Sequence, residues 1–467
     1  MTEFMKGFLI YVGAFFILYL IVYSSFLFFS VLIGSLELYR QRRMSRLKNE
    51  LKDDYYIPIS ILVPAHNEEV TVVDTVRSLL KLDYPLYEIV IVDDGSEDRT
   101  AGHLIEEFHM MRIDCPIRKR IKCQKERAVY ETKIGKVPVT LIVKENGGKA
   151  DALNMGINAS RYPYFICMDA DSVLQSDSLK EIVKPVLEND KVVACGGLVR
   201  ISNSAKIKDG KVVKYKMPWN PIVGVQIMEY DRSFLAARLM LNRFNGNMII
   251  SGAFGLFQKK AVVNVGGYDS STMGEDMELV VKLHVFCRLN KLPYSIQYTP
   301  NAICWSQAPS SLGDLMKQRR RWHLGLFQSM VKHRQMFLNP VFGVVGFVSY
   351  LYYLLYELLS PFIELFGIIT MVLAGILNLI NIRFMIFFYL VYAAFGALMT
   401  LTAFFARIYT QNITLSIKDV IKAVLMCIAE ALFLRFVMAY VRIMAFVGYK
   451  KKGKSWGHIK REKINIE

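Results

Sequence analysis

The first part of the chain contains an apolar segment that is long enough to cross a lipid bilayer. Residues 7–36 carry no charged side chain and are rich in Phe, Leu, Ile, Val and Tyr, and a transmembrane helix needs about 20 such residues. The apolar core of a cleaved signal peptide is shorter, so the length favours a retained membrane anchor. Arginine and lysine are concentrated in residues 40–48, whereas only Lys6 precedes the segment. The positive-inside bias therefore predicts an N-terminus outside the cell and a cytoplasmic chain from residue 40 onward.

A second apolar region extends over residues 341–446. Its two uncharged runs, residues 366–382 and 385–406, predict a tight hairpin of two membrane spans. The stretches on either side of this hairpin, residues 342–359 and 416–444, mix apolar with charged side chains. They predict helices that lie on the membrane or pack against other helices.

The basic tail after residue 449 is expected on the same cytoplasmic side as residue 40, which requires an even number of spans between the two. Two spans with two interfacial helices is the expected arrangement, and four spans is the alternative. The predicted organisation has four parts: an N-terminal transmembrane helix (1–40), a cytosolic α/β domain (41–336), C-terminal transmembrane and interfacial helices (337–449) and a basic cytosolic tail (450–467).

Charge and cysteine content narrow the class of protein. The formal net charge of +17 suits nucleic acid, anionic lipid or a phosphorylated substrate as a partner, and charge alone does not choose among them. The seven cysteines form no Cys-x-x-Cys pair. An odd and unpatterned set argues against a disulfide framework and against a zinc site, and it indicates reduced thiols in a cytosolic domain.

Between residues 53 and 336 the sequence alternates between strand-like and helix-like runs. Residues 57–63 and 89–92 are short, apolar and β-branched, and residues 71–80 between them have helical spacing. This order predicts a βαβ unit, and hence an α/β domain with a mostly parallel sheet and helices on both faces. Ligands of such sheets bind at the carboxyl ends of the strands.

Two acidic clusters follow strand-like runs and are candidates for such a site. Residues 93–96 read Asp-Asp-Gly-Ser. A carboxylate there can accept the imide N–H of a uracil base, although an Asp-Gly turn without any function is common. Residues 169–171 read Asp-Ala-Asp, and two carboxylates one residue apart can hold a divalent cation that also bridges a diphosphate. The alternative for the second cluster is a loop with a helix cap at Asp171.

Two further clusters carry a lysine and an acidic pair. Residues 146–149 read Asn-Gly-Gly-Lys and lack the spacing of a Walker loop, but Lys149 can offset the charge of a diphosphate. A solvated turn is the alternative. Residues 274–276 read Gly-Glu-Asp and precede a helix-like run. Asp276 is then either a general base for an acceptor hydroxyl or a first-turn residue that interacts favourably with the helix dipole.

The last cluster, residues 317–323, reads Lys-Gln-Arg-Arg-Arg-Trp-His. Three consecutive arginines are typical of a lipid-facing basic patch. Alternatively, Arg321 neutralises a departing diphosphate and the ring of Trp322 stacks on a sugar. The five clusters occur in this order between two membrane-type regions, and the combination favours a site over five unrelated turns and patches.

With these motifs, residues 57–333 resemble the processive inverting glycosyltransferases of family 2, which have the GT-A fold and include cellulose or mixed-linkage glucan, hyaluronan and poly-N-acetylglucosamine synthases. The resemblance rests on Asp-Asp-Gly, Asp-x-Asp, Glu-Asp and Gln-x-x-Arg-Trp in this order. The roles that it implies are nucleotide-sugar binding for Asp93, Asp94, Lys149, Asp169, Gln318 and Arg321, acceptor binding for Ser251, Gly252, Glu275 and Trp322, metal binding for Asp169 and Asp171, and general base catalysis for Asp276.

The same resemblance implies a function. A UDP-sugar donor and a divalent cation, Mg2+ or Mn2+, are expected. The favoured product is a β-glucan, cellulose-like or mixed-linkage, made from UDP-glucose at the cell membrane and translocated outward. The alternatives are a β-linked N-acetylglucosamine or hyaluronan-like polymer from UDP-N-acetylglucosamine, a non-processive transfer to a lipid, and a catalytically silent subunit. Expected partners are the growing polysaccharide, membrane lipid, and an accessory export subunit or a second copy of the chain, but no nucleic acid.

This chain departs from the cellulose synthase pattern in two places. Residues 273–276 read Met-Gly-Glu-Asp where cellulose synthases have Thr-Glu-Asp, and this weakens the case for plain cellulose. No Phe-x-Val-Thr-x-Lys gating loop follows the predicted hairpin.

Overall fold

The fold is described from a computed structural model, which covers residues 2–48, 56–203, 205–208, 211–411 and 413–447. Its strands are, in chain order, β1 (Ile59–Ala65), β2 (Tyr87–Asp93), β3 (Met111–Ile113), β4 (Glu126–Ile134), β5 (Val137–Lys144), β6 (Tyr164–Cys167), β7 (Ser172–Leu174), β8 (Val192–Ile201), β9 (Ala205–Lys208), β10 (Lys211–Tyr215), β11 (Gly255–Gln258) and β12 (Ser295–Ser306). Strands β9 and β10 form a separate antiparallel pair, and the other ten form one sheet.

The large sheet has the order β3-β4-β5-β2-β1-β6-β11-β8-β12-β7. Strands β5, β2, β1 and β6 are mutually parallel, as are β8 and β12, whereas the remaining five pairings are antiparallel. The predicted α/β class is confirmed, but the sheet is mixed and contains fewer parallel pairings than predicted. Strand β11 explains part of the difference, because it enters antiparallel between β6 and β8.

Helices cover both faces of this sheet. Within strand β1, Ile61 and Val63 belong to one hydrophobic core while Leu62 belongs to a second core, as expected for side chains that alternate across a strand. The helices of this part are α2 (Val72–Leu79), α3 (Thr100–Glu107), α4 (Lys149–Ala159), α5 (Ser178–Glu188), α6 (Pro221–Glu229), α7 (Ala237–Asn242), α8 (Lys259–Asn264), α9 (Glu275–Leu289) and α10 (Leu312–Lys332). Helices α2, α3 and α5 pack on the first core, and α4, α8 and α9 pack on the second.

The predicted βαβ opening is confirmed. The strands predicted at 57–63 and 89–92 correspond to β1 and β2, and the predicted helix is α2. The register pairs Ala65 with Asp93, so the carboxyl ends of the two strands lie side by side. The Asp-Asp-Gly-Ser cluster therefore lies at the edge of the sheet where α/β proteins bind ligands.

The remaining helices are largely apolar. They are α1 (Thr2–Lys48), α11 (Tyr350–Tyr352), α12 (Ser360–Ile376), α13 (Ile382–Thr410), α14 (Ile417–Ala429) and α15 (Arg435–Met444), with π-helical segments at Tyr230–Ala236, Val345–Ser349, Tyr353–Leu358 and Glu430–Leu434 and 3-10 turns at Arg334–Met336 and Pro340–Phe342.

Within the part of the chain that the structure describes, two helical segments are each long and apolar enough to span a membrane, Gly7–Arg43 and Ile382–Thr410. The predicted hairpin turn lies between α12 and α13, at residues 377–381. However, α12 ends at Ile376, so it begins and ends six residues before the predicted run, 366–382, and has the same length. Helix α12 is long enough to span a membrane only if it is taken together with the preceding segment, Val345–Leu358. The two segments meet at an angle of 50°. The predicted tail, 450–467, lies outside the described residues.

Helix α14 has one polar and one apolar face, as predicted for residues 416–444. Ile417, Ile421 and Leu425 are exposed. On the opposite face, Asp419 Oδ1 accepts a hydrogen bond from Met217 N at 3.1 Å, and Lys422 Nζ donates one to Met217 O at 2.9 Å. Asp419 and Lys422 thus face the protein, and the apolar stripe faces outward, which suits a helix in contact with lipid.

Candidate active site

Lys149 and Asp169 form the first contact of the candidate site. Lys149 begins helix α4, and Asp169 follows strand β6. Lys149 Nζ donates a hydrogen bond to Asp169 Oδ1 and lies 3.9 Å from Glu275 Oε1. Burial alone would lower the pKa of Lys149, but the carboxylates of Asp169 and Glu275 raise it above its ordinary value. The lysine is therefore a fixed positive charge in this site.

Asp276 lies against the same group of residues. Its Oδ2 atom accepts a hydrogen bond from Gly252 N at 3.2 Å, and its Oδ1 atom accepts one from Met277 N at 2.8 Å. A Cβ atom built on Gly252 would lie 3.2 Å from Lys149 Nζ and 3.6 Å from Asp276 Cβ. The backbone at Gly252, next to Ser251, therefore lies close to both the lysine and the carboxylate, and a larger residue at this position would crowd them.

The environment of Glu275 links helix α10 to this group. Burial raises the pKa of Glu275, and the negative charge of Asp276 raises it further. The positive charges of Lys149 and Arg321 lower it. Arg321 is thus close enough to act on the Glu275 carboxylate. The start of α9, the start of α4 and the middle of α10 accordingly face one another.

The Asp-Asp-Gly-Ser turn is packed against the Asn-Gly-Gly loop. The buried Asp94 carboxylate accepts hydrogen bonds from Gly147 N at 3.0 Å and Gly148 N at 2.7 Å and pairs with Lys144. Gly95 has a φ of +66°, and a Cβ atom there would lie 2.9 Å from Asn146 N. These contacts fix the loop that places Lys149 next to Asp169.

Both aspartates of this turn make hydrogen bonds within the protein itself. The resemblance implies uridine binding by Asp94. In the structure its carboxylate accepts hydrogen bonds from Lys144 and from the backbone N–H groups of Gly147 and Gly148. Asp93 Oδ1 accepts hydrogen bonds from the backbone N and the hydroxyl of Ser96. Burial raises the pKa of Asp93, and these hydrogen bonds oppose the shift.

Sequence reasoning missed Lys144 and gave no role to Asp151. The Lys144 side chain is 0% exposed and pairs with both Asp94 and Asp151, the latter at 2.7 Å. Asp151 Oδ1 also accepts a hydrogen bond from Gln124 N at 3.0 Å. A lysine at the end of an apolar strand, three residues before a Gly-Gly pair, was the one available signal.

The Gln-x-x-Arg-Trp motif lies on helix α10. Trp322 is half-buried, with its ring centroid 6.1 Å from that of Phe234 and the Arg319 guanidinium 4.6 Å from its ring centroid. Gln318 is half-buried, and its Oε1 atom has no hydrogen-bond partner among the residues that the structure describes. Arg319, which the motif leaves unspecified, is the second residue that sequence reasoning missed.

The residues present fit a divalent cation that is shared with a substrate. No cluster of three or more His, Cys, Asp or Glu side chains suited to a metal occurs within the described ranges. Burial raises the pKa of the Cys304 thiol, and the negative charges of Asp169 and Asp171 both add to this shift, so the two carboxylates are near the same thiol. Proteins usually bind Mg2+ with one or two carboxylates, and phosphate oxygens of the substrate complete the site.

All seven cysteines are free, as predicted.

The structure thus brings together Lys149, Asp169, Glu275 and Asp276, with Ser251 and Gly252 beside them and Arg321 within electrostatic reach. Asp93 and Asp94 are connected to this group through the loop 146–148. The individual catalytic and binding roles of these residues remain predictions.

Comparison with known proteins identifies the family of this chain. Residues 60–266 match the model for glycosyl transferase family 2, and residues 164–407 match that for glycosyl transferase family group 2. The poly-β-1,6-N-acetyl-D-glucosamine synthases of Staphylococcus epidermidis and of Staphylococcus aureus strain COL are each 31% identical over 310 residues, which is 66% of this chain and 64% of theirs. The chain thus matches just under two thirds of the length of these relatives.

Among solved structures, a mannosyltransferase from Pyrobaculum calidifontis in complex with GDP-Man and Mn2+ covers 93% of this chain and 100% of its own, with 17% identity and a TM-score of 0.49. The family models together match residues 60–407, and the second alone matches more than half of the 467 residues. The chain belongs to the family 2 glycosyltransferases.

Proposed function

We propose that this protein is a processive membrane glycosyltransferase that polymerises N-acetylglucosamine through β-linkages, with UDP-N-acetylglucosamine as the donor. The observation that carries the proposal is the contact of Asp276 with Gly252 beside Lys149, which places a carboxylate that can act as a base in the same group as a fixed positive charge. The polymer is suggested by the relatives, which are named poly-β-1,6-N-acetyl-D-glucosamine synthases.

The preference for a β-glucan from UDP-glucose is therefore corrected. The alternative that the sequence left open, an N-acetylglucosamine polymer, agrees better with the relatives. The motifs behind the original preference recognise features that both donors share, namely a uridine, a diphosphate and an acceptor hydroxyl. They carry no information on the group at carbon 2 of the sugar.

The proposed reaction is a single inverting displacement. Asp276 takes the proton from a hydroxyl of the terminal acceptor sugar as that oxygen attacks the anomeric carbon of the donor. The bond between the anomeric carbon and the diphosphate oxygen breaks, and UDP leaves with the bonding electrons. Lys149 and Arg321 offset the negative charge that develops on UDP.

Asp169 and Asp171 would hold the divalent cation. When bound, the cation would neutralise charge on the diphosphate. Lys149 already contacts Asp169, so the lysine and the metal ligand would act on the same diphosphate. Asp94 would orient Lys149 indirectly, through the backbone of residues 147 and 148.

The proposed topology has an outside N-terminus, a cytoplasmic catalytic domain within 41–336 and a product that leaves through the membrane helices. One contact supports it. Arg42 Nη1 near the end of α1 donates a hydrogen bond to Tyr409 O near the end of α13 at 2.8 Å. The carboxyl ends of the two candidate spans are therefore adjacent, as required if both enter the cytoplasm there.

The test is a donor comparison with the purified full chain. Labelled UDP-N-acetylglucosamine and UDP-glucose are supplied in turn, and the product is sized and digested with linkage-specific hydrolases. We expect a long product from UDP-N-acetylglucosamine that only a β-N-acetylglucosamine-specific hydrolase degrades. A polymer made from UDP-glucose alone, or a lipid that carries a single sugar, would contradict the proposal.

A further inference from the structure

Trp322 is held from two directions by residues outside the recognised motif. The Arg319 guanidinium lies 4.6 Å from the centroid of its ring, and the Phe234 ring lies 6.1 Å away at an interplanar angle of 59°. A guanidinium over an indole face is a favourable cation–π contact. The orientation of the Trp322 ring therefore depends on where Arg319 is fixed.

Glu229 fixes Arg319. Arg319 Nη1 donates to Glu229 Oε1 at 2.7 Å, and Nη2 donates to Oε2 at 2.6 Å. The Arg319 side chain is 5% exposed and that of Glu229 is 19% exposed. This is the two-point geometry that only a planar guanidinium can form with a carboxylate, and it leaves the arginine little rotational freedom.

The same helix provides both supports of the Trp322 ring. Glu229 is the last residue of α6, and Phe234 lies in the π-helical segment Tyr230–Ala236 that follows directly. Such π-helical segments occur often at functional sites. Glu229 contacts Arg319 and Phe234 contacts Trp322, so the end of α6 and the π-helical segment both lie against α10.

We propose that Glu229 is a positioning residue for the acceptor sugar: through Arg319 it sets the orientation of the Trp322 ring on which the acceptor would stack. The inference rests on the proposed function, because it takes Trp322 as the acceptor contact. Glu229 itself needs no contact with either sugar.

The test compares Glu229→Gln with the wild type. Glutamine keeps the size of the side chain but loses the charge and one of the two acceptor oxygens. With saturating UDP-N-acetylglucosamine and a short β-1,6-linked N-acetylglucosamine oligosaccharide as acceptor, we expect the acceptor KM to rise about five- to tenfold while kcat changes less than about threefold. An unchanged acceptor KM, or a fall in kcat alone, would overturn the inference.

A matched control exists on the same helix. Arg232 forms a two-point pair with Glu430, with both hydrogen bonds at 2.8 Å. Glu430→Gln breaks a similar buried pair without touching Arg319 or Trp322. We expect its acceptor KM to stay at the wild-type value, and an equal rise in both variants would show a general structural effect and overturn the inference.

A second readout is independent of activity. The chain has four tryptophans, so the contribution of Trp322 to the fluorescence is obtained by subtracting the Trp322→Phe spectrum. We expect Glu229→Gln to shift this contribution, and to have no effect on the spectrum in the Trp322→Phe background. An unshifted Trp322 contribution would overturn the inference even if the enzyme made a different polymer, and failure to use UDP-N-acetylglucosamine would overturn only the proposed function.

Arg319→Lys covers the case in which Glu229→Gln does not fold. Lysine keeps the charge but lacks the planar fork and the flat face. We expect the same rise in acceptor KM and the same spectral shift, and wild-type behaviour of this variant would contradict the role of the Glu229–Arg319 pair.

Discussion

Gly274, which precedes the first residue of helix α9, lies in direct backbone contact with Gly325 of helix α10. A Cβ atom built on Gly325 would lie 2.6 Å from both Gly274 Cα and Gly274 N, and one built on Gly274 would lie 2.9 Å from Gly325 Cα. Neither position has room for a methyl group. The contact therefore sets how closely Glu275 and Asp276 approach Arg321, and it gives a physical reason for Met-Gly-Glu-Asp in this chain.

We predict that Gly325→Ala lowers activity strongly. The methyl group would push the start of α9 away from α10 and displace Asp276, and a shift of about 1 Å at a catalytic group costs about 100-fold in rate. Gly313→Ala is the matched control, since a Cβ atom on Gly313 of the same helix meets nothing within 4 Å. The measurement is UDP release under saturating donor, and equal rates for the two variants would refute the role of the contact.

Asp276→Asn tests the general base. The amide keeps the shape of the side chain and cannot accept the proton, so polymer synthesis is expected to fall about 100- to 10,000-fold. Asp74→Asn, on the exposed surface of α2, should retain wild-type activity. Wild-type polymer output from the Asp276→Asn variant, assayed in vesicles supplied with UDP-N-acetylglucosamine, would rule out this mechanism.

Lys144 should prove more important for stability than its absence from any motif suggests. Lys144→Met leaves the buried carboxylates of Asp94 and Asp151 without their shared cation, which is expected to cost about 3–5 kcal/mol of folding free energy. Loss of the loop contacts should also raise the donor KM. Lys136→Met makes the same change at an exposed position in the adjoining hairpin. Thermal unfolding in detergent that was equal for both variants would disprove the assignment.

The local signals in the sequence were sufficient for part of this structure. The apolar run of α1, the β1–α2–β2 unit and the acidic clusters after β2 and β6 depend on residues close together in the chain, and all were predicted. The pairing of Lys144 with Asp94, or of Arg319 with Glu229, joins residues 50 and 90 positions apart. No spacing rule connects such residues, because only the sheet order and the helix packing bring them together.

The same reasoning explains the errors in the prediction. Strand β11 is short and apolar, like β6, which belongs to the parallel part of the sheet, and nothing in its sequence indicates that it runs antiparallel between β6 and β8. The relatives favour N-acetylglucosamine over the glucose that the sequence analysis preferred, and the acidic and basic clusters could not distinguish the two because their expected contacts are with parts that all UDP-sugars share. The group that distinguishes the donors would lie in contacts that short motifs do not encode.

Removal of divalent cations should abolish activity. A chelator is expected to stop UDP release, and Mg2+ or Mn2+ should restore it. Because Asp171 is a proposed ligand, Asp171→Asn should raise the metal concentration for half-maximal activity by at least about tenfold. Asp190→Asn, an exposed aspartate after helix α5, serves as the control. Full activity in the presence of chelator would exclude the proposed cation.

Stability should fall as the pH is lowered from 6.5 towards 4, and His284 should account for part of the loss. This residue of α9 is fully buried, with Nε2 2.9 Å from Asn247 O and Nδ1 2.7 Å from the Tyr294 hydroxyl. A neutral ring satisfies both contacts, donating to the carbonyl and accepting from the hydroxyl. Burial lowers the pKa of His284 from 6.5 to about 4, the Asn247 contact opposes the shift, and Arg288 adds to it.

The direction in which stability changes with pH follows from proton uptake. Between pH 6.5 and about 4 the unfolded chain binds a proton at His284 and the folded protein does not, so the contribution to folding is complete above pH 6.5 and is lost on acidification. The shift corresponds to about 3 kcal/mol. Unfolding temperatures of the wild type and of His284→Gln are measured from pH 7.5 to pH 4.5. They should converge as the pH falls, because only the wild type loses the contribution of His284 to the folding free energy. Parallel curves for the two proteins would show that His284 is not the group responsible.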